Sequence, residues 1–354
     1  MGPRENPELI GLEAAERSLL EGALSGRLAH AWLLAGPRGI GKATLAYRFA
    51  RFVLAGAGGG GGLFADGPTS LAVDPRHPVF RLVASGGHPD LRTVTRSINQ
   101  RTGKLRSEIV IDDVRDAVAF LRLTPAEGGW RVVIVDGAED MNRNAANALL
   151  KILEEPPPRA VLLLVSHAPG RLLPTVRSRC RRLGLRPLPD EAVARYVERE
   201  LPEVPAADRL LLVRLSAGSI GRAATLADSG GLEQYRDLVA LLMTLPRLDG
   251  TALQRMADRL GRSGAEDAFR AAAELLVGWL ARMLRRTATG REEPEILAGE
   301  GDCMRRLAKA AGAERWLAFL EAAERQFALV DPLNFDRRLV WIGTLMQMQQ
   351  LVTT

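Results

Sequence analysis

The residues of this 354-residue chain best suited to chemistry form a glycine-rich loop ending in a lysine, Gly36-Pro37-Arg38-Gly39-Ile40-Gly41-Lys42. The loop follows an apolar run and precedes a helical pattern, which is the context a G-x-x-x-x-G-K loop requires. The three glycines would let backbone N–H groups turn toward a phosphate, and the lysine would reach the terminal phosphates. Lys42 is one of only four lysines, with Lys104, Lys151 and Lys309, which makes an incidental lysine an unattractive explanation. The pattern predicts a nucleotide-binding loop.

The position after the loop lysine lacks the hydroxyl that usually holds Mg²⁺. That position is Ala43, and a threonine follows only at Thr44. One residue along a helix rotates a side chain by about 100 degrees, so the Thr44 hydroxyl points elsewhere. We therefore predict weakened Mg²⁺ binding.

A second apolar run, Val132–Val135, ends in Asp136, where the acid that supports the metal belongs. An aspartate at a strand end also commonly caps the next turn, and this alternative stays open. The acid that polarises water in hydrolysing relatives of such loops would directly follow, but Gly137 stands there. Glu139 is predicted to be a surface acid. The departures at Ala43 and Gly137 predict no efficient hydrolysis and leave only binding of ATP or ADP without turnover.

The surrounding elements that must position these residues are strands alternating with helices, the pattern of a parallel sheet. Continuous apolar runs, as expected for buried parallel strands, occur at Ala31–Ala35, Arg131–Val135 and Val161–Val165. Crossover helices with one apolar face are predicted at Ala43–Leu54 and Ala145–Leu153. The first part of the chain is therefore an α/β domain.

After residues 186–189 the strand pattern stops and only amphipathic helical patterns follow. We predict an α/β domain over residues 1–188, a small helical domain over 189–242 and a larger all-α domain over 243–354. The predicted helices are Asp190–Leu201, Ala206–Ser216, Ile220–Ala227, Thr251–Leu260, Ala265–Arg286, Glu300–Gly312, Arg315–Leu329 and Phe335–Leu351.

Composition excludes several classes of protein. Forty-eight basic and 42 acidic residues give a formal charge of +6, which only weakly favours a polyanionic partner. There is no apolar run of membrane-spanning length and no signal-like N-terminus, so we expect a cytoplasmic protein with no membrane partner. Only Cys180 and Cys303 occur, too few for a disulfide framework.

One low-complexity stretch, Ala55–Gly62, opens a region with little periodicity that extends to about His88. We predict a flexible loop throughout this region. It contains no cysteine, and its two histidines, His77 and His88, cannot complete a tetrahedral metal site. The sequence therefore predicts no zinc and no other metal.

Seven segments together resemble bacterial clamp-loader subunits of the AAA+ class, and they occur in the order seen in that family. The resemblance extends from residue 6 to about residue 226, and its leucine-glutamate-proline and serine-arginine-cysteine segments are the most specific. The segments are Asn6-Pro7 with Gly11, Gly36–Lys42, His88–Leu91, Ile111–Arg115, Asn147–Pro157, Arg177–Cys180 and Leu215–Ser219.

The resemblance implies an AAA+ domain, a small helical lid and a C-terminal collar that holds a ring of subunits together. The implied partners are gamma/tau and delta clamp-loader subunits, the sliding clamp and primed DNA. Within the family, Ala43 and Gly137 select the non-hydrolysing type of subunit. Two alternatives stay open, namely an active ATPase of the gamma/tau type and an AAA+ adaptor outside replication.

The resemblance also assigns a role to Arg179. Ser178-Arg179-Cys180 matches the motif whose arginine reaches across the subunit boundary to a neighbour's ATP, so Arg179 is the predicted catalytic residue in trans. Without the resemblance, an arginine that stabilises a helix C-terminus is the better interpretation. At the lid, Gly221 stands where an ATP-sensing arginine is common, with Arg222 beside it.

Overall fold

The computed structural model describes residues 2–26, 28–56, 68–101, 103–126, 129–291 and 294–353. The chain divides into two compact units. The first comprises Met1–Tyr196 with Ala217–Gly221, and the second comprises Val197–Ser216 with Arg222–Thr354. The predicted division into three domains, with a separate lid and collar, stays a prediction.

The first unit is built on a five-stranded sheet in the order β2-β3-β4-β1-β5, and every neighbouring pair is parallel. Because the strands are parallel, Ala35, Asp136 and Ser166 end at one edge of the sheet, with Ala35 opposite Ser166. This edge carries the predicted site. The strands are β1 Ala31–Ala35, β2 Leu91–Val94, β3 Arg131–Asp136, β4 Ala160–Ser166 and β5 Arg181–Gly184.

Helices connect these strands as the alternating pattern predicts. They are α1 Glu13–Leu24, α2 Lys42–Leu54, α3 Pro78–Ser85, α4 Ile111–Leu121, α5 Arg143–Glu154, the single-turn α6 Pro174–Arg177 and α7 Asp190–Glu200. The apolar faces of α4 and α5 bury Val114, Phe120, Leu149 and Ile152 against β3 and β4, whose residues are almost entirely inaccessible to water. The predicted α/β class with a parallel sheet is confirmed.

Two strands escape the sequence pattern, for a physical reason in each case. In β2 only Leu91 and Val94 are buried, and β5 consists of Arg181-Arg182-Leu183-Gly184, so neither is a continuous apolar run. Both are edge strands, and pairing with β3 and with β1 holds them in the sheet. Pairing with an adjacent strand of the sheet, rather than local strand propensity, decides the conformation of these two segments.

The prediction of a loop from Ala55 to about His88 is wrong for part of that region, because Pro78–Ser85 forms α3. Proline occupies its first turn, the His77 ring accepts a hydrogen bond from the Val79 backbone N–H, and Gly86 closes the helix in a left-handed conformation. These are strong helix-boundary features that a short helix needs. The glycine-rich stretch itself falls largely within residues 57–67, outside the described residues.

All the regular secondary structure in the described residues of the second unit is helical. Its elements are the end of α7, α8 Ala206–Ser216, α9 Ile220–Asp228, α10 Gly231–Met243, α11 Gly250–Leu260, α12 Glu266–Thr289, α13 Glu300–Ala311, α14 Ala313–Leu333 and α15 Arg337–Thr353. The predicted helices agree with these bounds within a few residues, and only α10 has no counterpart among them. Four aromatic side chains, Phe269, Trp316, Phe327 and Trp341, pack edge-on or stacked with aromatic neighbours in its core.

A charged cluster is buried inside this helical unit. Glu300, 1% exposed at the first turn of α13, accepts hydrogen bonds from Tyr235 of α10 and Arg282 of α12. Its other carboxylate oxygen accepts the backbone N–H groups of Ile296 and Leu297 at 3.1 and 3.2 Å. Burial raises the pKa of Tyr235 above its usual value, which keeps the phenol a donor. One carboxylate thus joins three helices.

No helix within the described ranges is long and apolar enough to cross a membrane. Across the same ranges no group of three or more histidine, cysteine or acidic side chains could hold a metal ion. The absence of zinc stays a prediction. Cys180 and Cys303 are both buried free thiols.

Candidate functional site

The glycine-rich loop lies at the carboxyl edge of the sheet, between β1 and the N-terminus of α2. Gly39 and Gly41 have φ angles of 75° and 96°, in the left-handed region that glycine adopts without strain. Gly36 donates its N–H to the Ser166 carbonyl at 3.2 Å, and a Cβ there would lie 2.4 Å from the Leu185 carbonyl oxygen. The structure thus places this loop where the sequence predicts it, and its glycines are required by the backbone.

The loop lysine is turned back onto its own loop. The Lys42 side chain is 2% exposed, and its Nζ donates to the Gly36 carbonyl at 2.7 Å and to the Pro37 carbonyl. Burial lowers the pKa of Lys42 to about 8, against 10.5 for an exposed lysine, and Glu139 and Asp136 counteract part of that effect. Folding therefore disfavours the charged form of this amine, and that is a free-energy disadvantage.

We expect this disadvantage to appear as a pH dependence of stability. Below pH 8 the buried Lys42 ammonium destabilises the fold, and between pH 8 and 10.5 the unfolded chain binds more protons than the folded chain. The free energy of unfolding contributed by Lys42 therefore rises with pH across that window. Urea unfolding of wild type and Lys42→Met at pH values from about 7 to 10 measures this effect. The free energy of unfolding of wild type should rise relative to that of Lys42→Met as the pH increases. Parallel pH profiles for the two proteins would contradict it.

Asp136 ends β3 beside this lysine, as predicted. Burial raises its pKa, while His167 and Lys42 act in the opposite direction. The prediction that Glu139 is a surface acid is wrong, because Glu139 is buried and its Oε1 accepts the His167 backbone N–H at 2.9 Å. Burial alone would raise the pKa of Glu139, but the backbone N–H groups of Glu139 and His167 lower it below its usual range.

His167 is a site residue that sequence reasoning missed. It follows Ser166 at the end of β4, and burial together with Lys42 lowers its pKa, so the imidazole is neutral at neutral pH. The one available signal was its position immediately after a buried strand at the edge where Lys42 and Asp136 meet. At this edge the Lys42 amine and the Asp136 and Glu139 carboxylates form a charged cluster next to the His167 ring, and the Arg38 guanidinium adds a second positive charge.

Neither departure from a hydrolysing site is repaired by a neighbouring residue. Thr44 is buried in α2, one position beyond Ala43. Gly137 has a φ of 81°, and a Cβ added there would lie 3.2 Å from Asp140 Oδ2, so a glutamate at this position would be strained. Glu139 lies two residues further along, where its Oε1 accepts the His167 N–H. The backbone conformation at residue 137 therefore disfavours a water-polarising acid at this position.

Purified alone, this chain should release phosphate from ATP at a negligible rate. Ala43→Thr should restore the metal hydroxyl without restoring turnover, because no acid stands at residue 137 to polarise water. Phosphate release with Mg²⁺ present measures both proteins, and Lys42→Met controls for a contaminating ATPase. Turnover near one per second that Lys42→Met abolishes, at the lower end of the usual enzyme range of roughly 1–1,000 per second, would contradict this expectation.

A second segment of the first unit lies directly on the phosphate loop. Gly221 donates its backbone N–H to the Gly39 carbonyl at 2.9 Å, and a Cβ on Gly221 would lie 2.9 Å from the Gly39 Cα. No side chain fits at residue 221, so an ATP-sensing arginine has no room there. Arg222 belongs to the helical unit. Burial lowers the pKa of Arg222 and the charge of Arg282 lowers it further, whereas Glu274 and Tyr235 act in the opposite direction.

Arg179 lies just beyond α6 and is exposed, with 37% of its side chain accessible. One guanidinium nitrogen pairs with Glu154 Oε1 at 2.8 Å, and another donates to the Thr175 carbonyl at 3.0 Å. Glu154 is the last residue of α5, and it belongs to the leucine-glutamate-proline segment. The structure thus brings together two motifs that are 25 residues apart in the sequence.

A parallel sheet in the order β2-β3-β4-β1-β5, with a phosphate loop after β1 and an acid at the end of β3, defines a P-loop protein of the AAA+ class. The family described as DNA polymerase III, delta subunit matches residues 11–189. The delta' subunit of DNA polymerase III from Pseudomonas aeruginosa is 33% identical over 325 residues, which cover 91% of this chain and 92% of that protein.

Two further relatives come from Escherichia coli K12. Its delta' subunit is 32% identical over 231 residues, covering 65% of this chain and 64% of that protein. Its tau subunit is 30% identical over 230 residues, covering 64% of this chain but only 33% of that protein. The chain belongs to the delta-prime subunit family of DNA polymerase III, whose members are clamp-loader components of DNA replication. The predicted family, fold class and clamp-loader function are confirmed.

Proposed function

We propose that this chain enters a clamp-loader ring as a non-hydrolysing subunit and supplies Arg179 to the ATP site of a neighbouring gamma/tau subunit. The assembled ring would also contain a delta subunit and would place the sliding clamp on primed DNA. The observation that carries the proposal is the exposed guanidinium of Arg179, held by Glu154 in a chain that has Ala43 and Gly137 where a hydrolysing site has a hydroxyl and an acid.

The contacts of Arg179 suit a role outside its own chain. Its pairing with a half-exposed carboxylate orients the guanidinium without burying it, so a phosphate of a neighbouring subunit could replace solvent around the remaining N–H donors. A planar, forked guanidinium offers two donors to a phosphoryl group, which stabilises transition-state charge. The hydrogen bond to the Thr175 carbonyl also fits the alternative of a helix-end arginine, so the distinction requires an experiment.

The remaining parts of the proposal follow from family membership. We place the protein in the cytoplasm, where replication complexes act, and we assign ring assembly to a collar within residues 243–354, with the lid at 189–242. Any ATP or ADP would be held by Gly36–Lys42, Thr44 and Asp136 without turnover. No metal or zinc is assigned.

Co-purification tests assembly. Affinity-tagged wild-type chain, expressed in its own cells, should retain gamma/tau and delta subunits and the sliding clamp. The matched variant Arg179→Ala should retain them as well, because one exposed arginine contributes little to a large interface. Recovery of the tagged chain without any clamp-loader subunit would contradict the proposal and favour an adaptor outside replication.

A further inference from the structure

A groove between α10 and α11 of the helical unit lies apart from the residues used in the proposed function. It encloses about 780 Å³, within the roughly 300–1,000 Å³ of small-molecule sites. Its floor is apolar, since Leu241 of α10 and Met256 of α11 line it and are 2% and 3% exposed. Ala240 and Ala252 line it as well, one from each helix, and their small side chains leave the space open. We call this feature the α10–α11 groove.

Three arginines from α11 and the turn after it line the α10–α11 groove. Arg255, Arg259 and Arg262 are spaced by four and three residues, the spacing of neighbours on one helix face. Arg259 forms an ion pair with Asp237 of α10, which also lines the groove. Arg255 and Arg262 are exposed, and neither side chain makes an ion pair or a hydrogen bond with another described residue. The groove thus presents two guanidinium groups that have no carboxylate partner.

The acids that line the groove are engaged by other groups. Asp249 is the N-cap of α11, and its Oδ1 accepts two backbone N–H groups of the first turn at 2.9 and 3.0 Å. Asp258 pairs with Arg338 of α15 at 2.9 Å. With the ion pair between α10 and α11, these contacts account for every carboxylate of the lining, all of which belongs to the described part of the chain. An anion that enters the groove therefore meets two unpaired guanidinium groups.

We propose that the α10–α11 groove binds a small organic molecule that carries a phosphoryl group at each end. Arg255 and Arg262 are seven residues apart, which is about 10 Å at a helical rise of 1.5 Å per residue. Each would hold one phosphoryl group, because the planar fork of a guanidinium donates two parallel hydrogen bonds to a phosphate. The body of the molecule would lie on Leu241 and Met256. The inference concerns a surface outside the phosphate loop and does not rest on clamp-loader assembly.

A small molecule fits the groove better than a protein surface does. The core of a protein interface is apolar and depleted of charge. None of the lining residues, which the structure describes in full, is an exposed large apolar side chain. A buried apolar floor beneath guanidinium groups instead suits a ligand that enters the cavity.

Isothermal titration calorimetry of the full-length chain with fructose 1,6-bisphosphate tests the proposal, since this sugar carries a phosphoryl group at each end. We expect a Kd below about 1 mM at about 50 mM salt, where surface charges are only partly screened. Arg255→Ala/Arg262→Ala should weaken binding about a hundredfold, because each charge-assisted contact contributes roughly tenfold. Inorganic phosphate, which can occupy only one arginine at a time, should bind about tenfold more weakly than the bisphosphate.

The matched control variant is Lys309→Ala/Arg315→Ala. It removes the same charge from exposed positions of the helical unit that do not line the groove, and it should bind the bisphosphate as wild type does. Alanine is favourable at exposed helix positions, so both double variants should keep the melting temperature of wild type.

Several results would overturn the proposal. One is the absence of binding to wild type, and another is an equal loss in both double variants, which would indicate general attraction to surface charge. Loss of bisphosphate binding in Lys42→Met would place the anion in the phosphate loop instead. Displacement of the bisphosphate by an equimolar DNA duplex would assign the two arginines to nucleic acid. None of these results affects the expectation for Arg179, which is tested by the ATPase rate of the assembled ring.

Discussion

Arg179→Ala should lower ATP hydrolysis at the neighbouring subunit's site by about a thousandfold, since an arginine supplied in trans contributes that much or more to phosphoryl transfer. The total ATPase rate of the ring should fall less, because the other sites keep their own arginines. The chain carrying the substitution should fold and enter the ring. Clamp-stimulated phosphate release from the reconstituted complex measures the effect, with the melting temperature of the isolated subunit as the check on folding.

Two further substitutions separate charge from geometry at this position. Arg179→Lys should not restore the rate, because an ammonium cannot reproduce the planar, forked donor group. Glu154→Gln should weaken the orientation of Arg179 and lower the rate less than removing the arginine does, since it replaces only the ion pair. If Arg179 instead serves the end of α6, its loss should reduce stability by about 0.3–1 kcal/mol and leave the ATPase rate of the ring normal.

Glu300→Gln should destabilise the helical unit by about 3 kcal/mol, the lower end of what breaking a buried ion pair usually costs. The amide would leave Arg282 without its anion and would offer only one acceptor for the donors that now converge on the carboxylate, namely Tyr235, Arg282 and two backbone N–H groups. Arg282 keeps 17% of its side chain accessible, which allows water to relieve part of the loss.

Urea unfolding followed by far-UV circular dichroism measures this change. Glu321→Gln is the matched control, because Glu321 faces Arg325 at 3.8 Å across an exposed pair that should contribute less than about 1 kcal/mol. Tyr235→Phe should cost about 2 kcal/mol, because it removes the two hydrogen bonds that the hydroxyl makes in the same cluster, one donated to Glu300 and one accepted from Arg282. Equal midpoints for Glu300→Gln and Glu321→Gln would show that the buried carboxylate does not hold the three helices together.

The sequence predicted those parts of the site that depend only on residues close together in the sequence. The apolar runs of β1, β3 and β4 and the glycine spacing of Gly36–Lys42 are local patterns, and continuous apolar runs of this length are typical of parallel strands buried on both faces. The same holds for the missing hydroxyl at Ala43, which is a matter of residue type. The long helices of the second unit were equally accessible, because their periodicity extends over several turns.

Other features depend on which parts of the chain meet, and no local pattern encodes that. Pairing with β1, rather than composition, makes a strand of Arg181–Gly184. Glu139 is buried and accepts the His167 N–H, 28 residues away in the sequence, and an isolated acid in the sequence does not reveal such a contact.

By itself, then, the sequence determined the position of the glycine-rich loop, the class of sheet and the absence of a hydroxyl at Ala43, since residue type and spacing are enough for each. Only the tertiary structure decided three further properties: the left-handed Gly137 that excludes a glutamate, the close approach of Gly221 to Gly39, and the carboxylate of Glu154 that orients Arg179. The physical reason is the same in each case. A contact between residues distant in sequence has an energy set by distance and burial, and both exist only once the chain has folded.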